Sequence, residues 1–266
     1  YDTWYKSNPD LGPETSEYTN LGLSWDVTDS VGITVDYFNL SIDNVIQTKT
    51  VQALFSDEDA GKITALAPGA DVSNETFYLI RTAGPGSKLI EAGTGFFNGI
   101  GFDIEGVDLA INANLETGFG DFSFNMTNSF TLTYDSEQGG AIVDSAGWSG
   151  QPDYKAVLTL GWSMGDHALA WNSNYTSSTS EDEKQVTKDA DGNDITPYWD
   201  VTGELDSWLI HNFTYTYFAG DYGQVRFTVN NVFDEDPVLS KTGAYDDADL
   251  YNNFGRDYRV SYTISF

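Results

Sequence analysis

The chain ends on Arg256-Asp-Tyr-Arg-Val-Ser-Tyr-Thr-Ile-Ser-Phe266, and this stretch decides the fold class. Polar residues alternate there with five apolar ones: Tyr258, Val260, Tyr262, Ile264 and Phe266. A period of two indicates a β-strand with one apolar and one polar face. Such a strand fits either a half-buried position in a soluble protein or a membrane-spanning β-barrel, so the rest of the chain must decide.

Composition narrows the class of protein. The chain has 266 residues, with 41 acidic and 12 basic side chains, and its net charge of −29 argues against nucleic acid or anionic headgroups as partners. It has no cysteine and only two histidines, so we expect no disulfides, no thiolate metal site and no catalytic triad. We assign no metal-binding residue and expect no cofactor. Aromatic residues make up 15% of the chain and glycine occurs 26 times, which favours an all-β protein with many turns.

Alternation with a period of two recurs along the chain. It predicts nine strands, at about 15–27, 31–43, 99–115, 120–134, 153–164, 167–179, 207–219, 223–233 and the terminal segment. The apolar faces of these segments carry no charge, which is the condition for contact with lipid. We therefore expect the following residues to face lipid: Leu23, Trp25, Val35, Ile111, Phe124, Leu160, Val229, Tyr262 and Ile264.

Short and long connections follow each other in strict order between these strands. Tight turns rich in Gly, Asp and Ser lie at 28–30, 116–120, 165–166 and 220–223. Long loops are expected at 44–98, 135–152, 180–206 and 234–255, and the last two are strongly acidic. In an up-and-down barrel every second connection lies at the same end, so the long loops are expected together on the outer surface of the cell.

Nine strands do not close a single-chain bacterial barrel, because such barrels have an even number of strands. An open arc would also leave two unpaired strand edges in lipid. We therefore expect the chain to be the C-terminal part of a larger barrel. Its first and ninth strands should not pair with each other.

Four segments resemble motifs of the TonB-dependent outer-membrane receptor family: Asn8-Pro-Asp-Leu-Gly-Pro-Glu14, Gly106-Val-Asp-Leu109, Val229-Asn-Asn-Val-Phe-Asp234 and Gly255-Arg-Asp-Tyr258. They occur in the family's order over essentially the whole chain. Departures are small, with Gly12 in place of a common Lys and Val232 in place of a common Leu. The resemblance implies that residues 1–266 are the C-terminal portion of a 22-stranded antiparallel transmembrane β-barrel, with the plug domain and early strands outside this chain.

The resemblance also implies a function. Receptors of this family are outer-membrane active transporters, not enzymes, and take up a scarce solute such as an iron-siderophore, cobalamin, a saccharide or a peptide. The expected partners are outer-membrane lipid, the solute, and the TonB motor complex acting through a plug. Terminal Phe266 resembles the signal that the barrel-assembly machinery reads.

Outer-loop aromatic residues are the candidate substrate-binding residues. Trp148, Tyr198 and Trp199 lie near predicted outer strand ends, where they would either form an interfacial aromatic girdle or stack on a solute ring. Two other functions fit parts of the sequence. One is a structural or adhesive outer-membrane barrel that binds a protein partner through its long acidic loops, and the other is a soluble all-β binding module.

Overall fold

A computed structural model gives the fold, and it describes residues 1–138, 141–180, 204–238, 251 and 254–264. The chain divides into two compact units. The first comprises Tyr1–Glu17 and Ser41–Phe102, and the second comprises Tyr18–Leu40 and Asp103–Phe266. Among the described residues, no helix has the length and apolar character needed to cross a membrane.

The first unit combines four strands and a helix. These are β1 (Asp2–Lys6), β4 (Ile46–Thr48), α1 (Val51–Asp59), β5 (Tyr78–Arg81) and β6 (Leu89–Asn98). Strand β6 is central, because β1 pairs with it in parallel and β4 and β5 pair with it antiparallel. Helix α1 begins after Thr50, whose side chain accepts a hydrogen bond from the Ala53 amide at 3.1 Å and so caps the first turn.

The prediction of a loop over 44–98 is therefore wrong, because this segment folds around an apolar core of its own. Leu54 of α1, Leu79 of β5, and Leu89 and Ala92 of β6 are buried together. Burial of each Leu side chain contributes roughly 1.5–3 kcal/mol to the stability of this unit. The pattern was missed because these contacts join residues far apart in sequence.

The first family motif is held against β6 within this unit. The Asn8 side chain accepts a hydrogen bond from the Asp10 amide and donates one to the Phe96 carbonyl, both at 3.0 Å. Further along, the Asn98 side chain binds both backbone groups of Gly12, accepting from its amide at 2.7 Å and donating to its carbonyl at 2.9 Å. The motif is thus an architectural element, as its resemblance to the family implied.

Nine long strands form one sheet. They are β2 (Thr15–Thr28), β3 (Val31–Asp43), β7 (Phe102–Thr117), β8 (Gly120–Gln138), β10 (Tyr154–Met164), β11 (His167–Thr176), β14 (Trp208–Phe218), β15 (Gln224–Asn230) and β16 (Asp257–Thr263). All nine predicted strands are confirmed. The short β9 (Ala141–Asp144) extends a hairpin with β8, and β12 (Thr179–Ser180) pairs with β13 (Glu204–Leu205) at the base of a long connection.

The sheet is an antiparallel meander with two separate edges. Its order, β2-β3-β7-β8-β10-β11-β14-β15-β16, follows the chain once the short strands are set aside. Within the described residues no ladder joins β2 to β16. This agrees with the expectation that the first and ninth strands do not pair with each other.

Each long strand separates apolar from polar side chains. On one face Leu160 lies opposite Phe124 and Trp171, whereas its neighbour Thr159 lies opposite Asn125 and Asn172 on the other face. Many apolar-face side chains are open to the surroundings, including Leu23 at 69% exposure and Val260 at 71%. A sheet that leaves so many large apolar side chains uncovered needs an apolar solvent on that face.

The residues predicted to face lipid lie on this apolar face. Six of the nine are exposed: Leu23, Trp25, Val35, Leu160, Tyr262 and Ile264. The other three, Ile111, Phe124 and Val229, are half-buried. Polar residues also lie on this face, among them Asn128.

Asn128 is buried and fully engaged. Its amide donates to the Leu109 carbonyl at 3.2 Å, and its carbonyl accepts from the Tyr154 hydroxyl at 2.8 Å. The Tyr154 ring also stacks on Phe130, with ring centroids 4.7 Å apart. Because both ends of the amide are satisfied and covered, this polar residue is tolerated on an apolar face.

Gly106 opens the second family motif at a point where a side chain would not fit. A Cβ atom there would lie 2.5 Å from the Phe38 ring and 2.7 Å from the Phe130 carbonyl oxygen. The carbonyl belongs to the neighbouring strand and cannot turn away without breaking the ladder. The glycine of the motif therefore permits the close approach of β7 and β8.

Placing an arginine on each face tests the assignment of the two faces. Ile111→Arg puts a charge on the apolar face and should destabilise the protein by about 2–4 kcal/mol, because the charge would face lipid. Asn112→Arg, one residue along on the opposite face, should change stability far less. Urea unfolding in lipid vesicles measures both, and equal stability of the two variants would contradict the assignment.

Substitution of the motif glycine tests the close approach. Gly106→Ala should destabilise the sheet by about 1–3 kcal/mol, the usual cost of overpacking. Gly118→Ala is the matched control, since a Cβ atom there would meet no heavy atom within 4 Å. The same urea titration applies, and an unchanged midpoint for Gly106→Ala would show that the strands can separate.

Candidate functional site

A row of uncharged polar side chains crosses the polar face at one level. Asn125, Thr159, Asn172 and Asn212 are successive cross-strand partners on β8, β10, β11 and β14. The Asn172 amide donates to the Thr159 hydroxyl at 3.0 Å, and the Asn212 amide donates to the Asn172 carbonyl at 3.3 Å. The row is a continuous wall of amide and hydroxyl groups, of the kind that borders a polar solute or a water-filled lumen.

The row leads into the third family motif. The Asn212 side-chain carbonyl accepts a hydrogen bond from the Asn231 amide at 2.9 Å. Asn230 donates to both carboxylate oxygens of Asp257 at 3.0 Å, which joins β15 to β16 on the polar face. Asn231 has a positive φ of 50° and is buried, so its side chain takes part in the turn that ends β15.

The third and fourth family motifs bind each other. The Asp234 carboxylate accepts a hydrogen bond from the Arg256 amide at 2.7 Å and lies 3.5 Å from its guanidinium, which also donates to the Val232 carbonyl at 3.1 Å. Asp234 itself has a φ of 61°, in the left-handed region. These two motifs therefore hold together the two ends of the long connection between the last two strands.

A cavity of about 310 Å³ opens on the polar face, where β7, β8 and β10 approach a long connection. Its lining includes Ile104, Ser129, Thr131, Tyr134, Pro152 and Lys155. The volume lies at the lower end of the range for small-molecule sites, and the lining mixes an apolar wall with a few polar groups, as ligand sites do. This cavity is therefore a candidate solute site.

Trp148 lies in a compact turn beside this cavity's Gly150–Pro152 edge. The turn is closed by backbone hydrogen bonds from the Gly147 amide to the Gln151 carbonyl and from the Ser180 amide to the Gly147 carbonyl, both 2.8 Å. Trp148 is half-buried. Tyr198 and Trp199, predicted with it as substrate-binding residues, lie outside the described residues, as does Phe266, so these assignments stay predictions.

The two histidines are strand residues that lie on the apolar face. His211 lies opposite Ser173 on the apolar face, with its ring nitrogen 2.8 Å from the Ser173 hydroxyl and its ring 5.2 Å from that of Trp171. His167 similarly hydrogen-bonds Tyr215 at 2.7 Å near a short turn. The alternation along β11 and β14 predicts this position, because each histidine lies an even number of residues from the apolar-face residues of its strand.

Three basic residues of the first unit, Lys49, Lys62 and Arg81, form ion pairs. The Lys49 ammonium, 2.6 Å from Asp57, lowers the pKa of that carboxyl. The Arg81 guanidinium, which is mostly buried, binds both oxygens of Glu58. Burial and a hydrogen bond to Glu91 raise the pKa of the Tyr78 hydroxyl to about 12. These arrangements are structural, and no group of His, Asp and Glu side chains in the described ranges could hold a metal ion.

An antiparallel sheet with one lipid-type face, one polar face and alternating short and long connections defines the class of outer-membrane β-barrels. The family model described as "TonB dependent receptor-like, beta-barrel" matches residues 1–232. The chain belongs to the TonB-dependent receptor family, as its four motifs indicated, and this family implies the bacterial outer membrane. A comparison with curated proteins gives no sequence match.

Solved structures of receptors share the fold. A mutant of the ferric enterobactin receptor PfeA from Pseudomonas aeruginosa superposes with a TM-score of 0.61 at 19% identity, over 96% of this chain and 32% of that one. The FrpB iron transporter from Neisseria meningitidis gives 0.55 at 12% identity, over 94% and 30%. The ferric-catecholate import receptor Fiu from E. coli K12 gives 0.52 at 13% identity, over 95% and 28%. The chain thus spans about a third of the length of these receptors.

Proposed function

We propose that this chain is the C-terminal barrel portion of an outer-membrane active transporter that takes up a scarce solute. The observation that carries the proposal is the polar face, which combines an uncharged wall of amides and hydroxyls with a cavity near the long connections. Candidate solutes are an iron-siderophore, cobalamin, a saccharide or a peptide. Energy for uptake would come from a TonB motor complex acting through a plug that is not in this chain.

We further propose that the sheet is completed into a larger barrel. Strands β2 and β16 each have one edge without a partner among the described residues. Unpaired backbone groups in hydrocarbon cost several kcal/mol each, so both edges require further strands. The fraction of the receptor chains that this chain covers, about a third, supports the same proposal.

A structural or adhesive barrel is the second candidate function. It is favoured by the acidic loops at 180–206 and 234–255, which together carry 15 acidic residues against three lysines and could bind a basic protein partner. Transport accounts in addition for the polar wall and the cavity, which an adhesive barrel does not require.

Uptake by living cells tests the transport function. Deletion of the gene should abolish energy-dependent removal of at least one solute from the growth medium. The concentrations of solutes in the medium are measured by mass spectrometry, with and without a protonophore. A plasmid copy should restore removal. Identical media from both strains, together with loss of adhesion or aggregation in the deletion strain, would favour the adhesive function.

The orientation of the connections gives a separate prediction. The chain has no cysteine, so single cysteines can be labelled without background. Ser149→Cys, in a long connection, should react with a membrane-impermeant maleimide on intact cells. Asp166→Cys, in a short turn, should react only after the outer membrane is opened. The reverse result would invert the proposed topology.

A further inference from the structure

The cavity between β8 and β10 has one charged group without a partner, and it is basic in a strongly acidic chain. Lys155 forms no ion pair among the described residues. It lies opposite Ser129 on the polar face and contributes to the cavity lining. Lys155 is exposed, so its ammonium group is open to a molecule that enters the cavity.

Two neighbouring carboxylates hydrogen-bond to hydroxyl groups and form no ion pair with Lys155. Asp108 accepts a hydrogen bond from the Ser129 hydroxyl at 2.6 Å. Asp153, two residues before Lys155, accepts one from the Ser177 hydroxyl, also at 2.6 Å. Neither acid forms an ion pair with Lys155, so the ammonium group is left to interact with whatever enters the cavity.

The remaining lining specifies what kind of group surrounds the charge. Ile104, Tyr134 and buried Pro152 give the cavity an apolar wall, and Thr131 adds a hydroxyl beside the lysine. A single cation with one neighbouring hydroxyl suits one carboxylate, whereas a polyanion would need several cations. The apolar wall suits a ring or short hydrocarbon attached to that carboxylate.

A second cavity on the same sheet is lined by acidic instead of basic residues. It has a volume of about 470 Å³ and lies at the opposite, short-turn ends of the same strands. Its lining contains Glu116 and Asp121 and no basic residue. The polar face therefore offers a cation near the long connections and two carboxylates at the far end.

We propose that the Lys155 cavity binds a monocarboxylate carried on an apolar or aromatic body, as a recognition subsite for the solute. The proposal rests on the proposed transport function, because it takes the polar face as the solute path. The Lys155 ammonium binds the carboxylate, the Thr131 hydroxyl donates to it, and the apolar wall contacts the ring or chain.

Protection of Lys155 from chemical modification tests this subsite directly. The purified full receptor in detergent is reductively methylated with benzoate or with its uncharged analogue benzamide, and the rate at each lysine is read by mass spectrometry. Benzoate should slow methylation of Lys155 severalfold, and benzamide should not. Lys62, whose side chain is 72% exposed, is the internal control and should react equally in both.

Two variants complete the test. Saturation transfer from the receptor to benzoate, observed by NMR, should be lost in Lys155→Gln and retained in Lys155→Arg, which keeps the charge. Equal protection by benzoate and benzamide, no protection by either, or unchanged transfer in Lys155→Gln would overturn the proposal. Binding by purified protein requires no energy source, so failure here is distinct from failure of uptake in cells.

Discussion

In the hydrocarbon core of a membrane, a backbone N–H or C=O group can hydrogen-bond only to protein, and the sheet of this chain is organised around that requirement. Antiparallel pairing of successive strands satisfies it ladder by ladder. Alternation then separates the side chains, so that Leu160 and Thr159 face opposite solvents. A shift of one residue in register would exchange the faces, which is why the apolar pattern fixes the pairing so strongly.

The first unit satisfies its backbone hydrogen bonds differently, through a capped helix and short strands around a small apolar core. Ion pairs lie close to this core. The bidentate pair between Arg81 and Glu58 is nearly buried, so loss of either partner would leave an unpaired charge in the interior. Asp57 adds a pH dependence, because its lowered pKa stabilises the fold above the usual carboxyl pKa and the contribution is lost as the pH falls through the lowered value.

How far the sequence predicts the structure depends on the range of the interactions. The nine long strands were predictable because apolar and polar residues alternate along each of them, as at Tyr258 to Ile264. This alternation arises because the two faces of each strand meet different surroundings. The first unit was not predictable, since its core joins Leu54 to Leu79 and Leu89, and since β1 pairs in parallel with a strand more than 80 residues away. The cavity was missed for the same reason, as Ile104, Thr131 and Lys155 converge only after the sheet has formed.

The family motifs and the candidate solute site differ in how their polar groups are used. Asp234, Arg256 and Asn8 already hydrogen-bond within the protein. Exchanging such a bond for one to a solute gains little, because the net value of a hydrogen bond is only about 0.5–1.5 kcal/mol. A group that lacks a protein partner has more to gain, and Lys155 has no ion-pair partner among the described residues. The motif residues therefore identify the family. We expect the residues that select a solute among the polar-face side chains that have no partner in the described part of the protein.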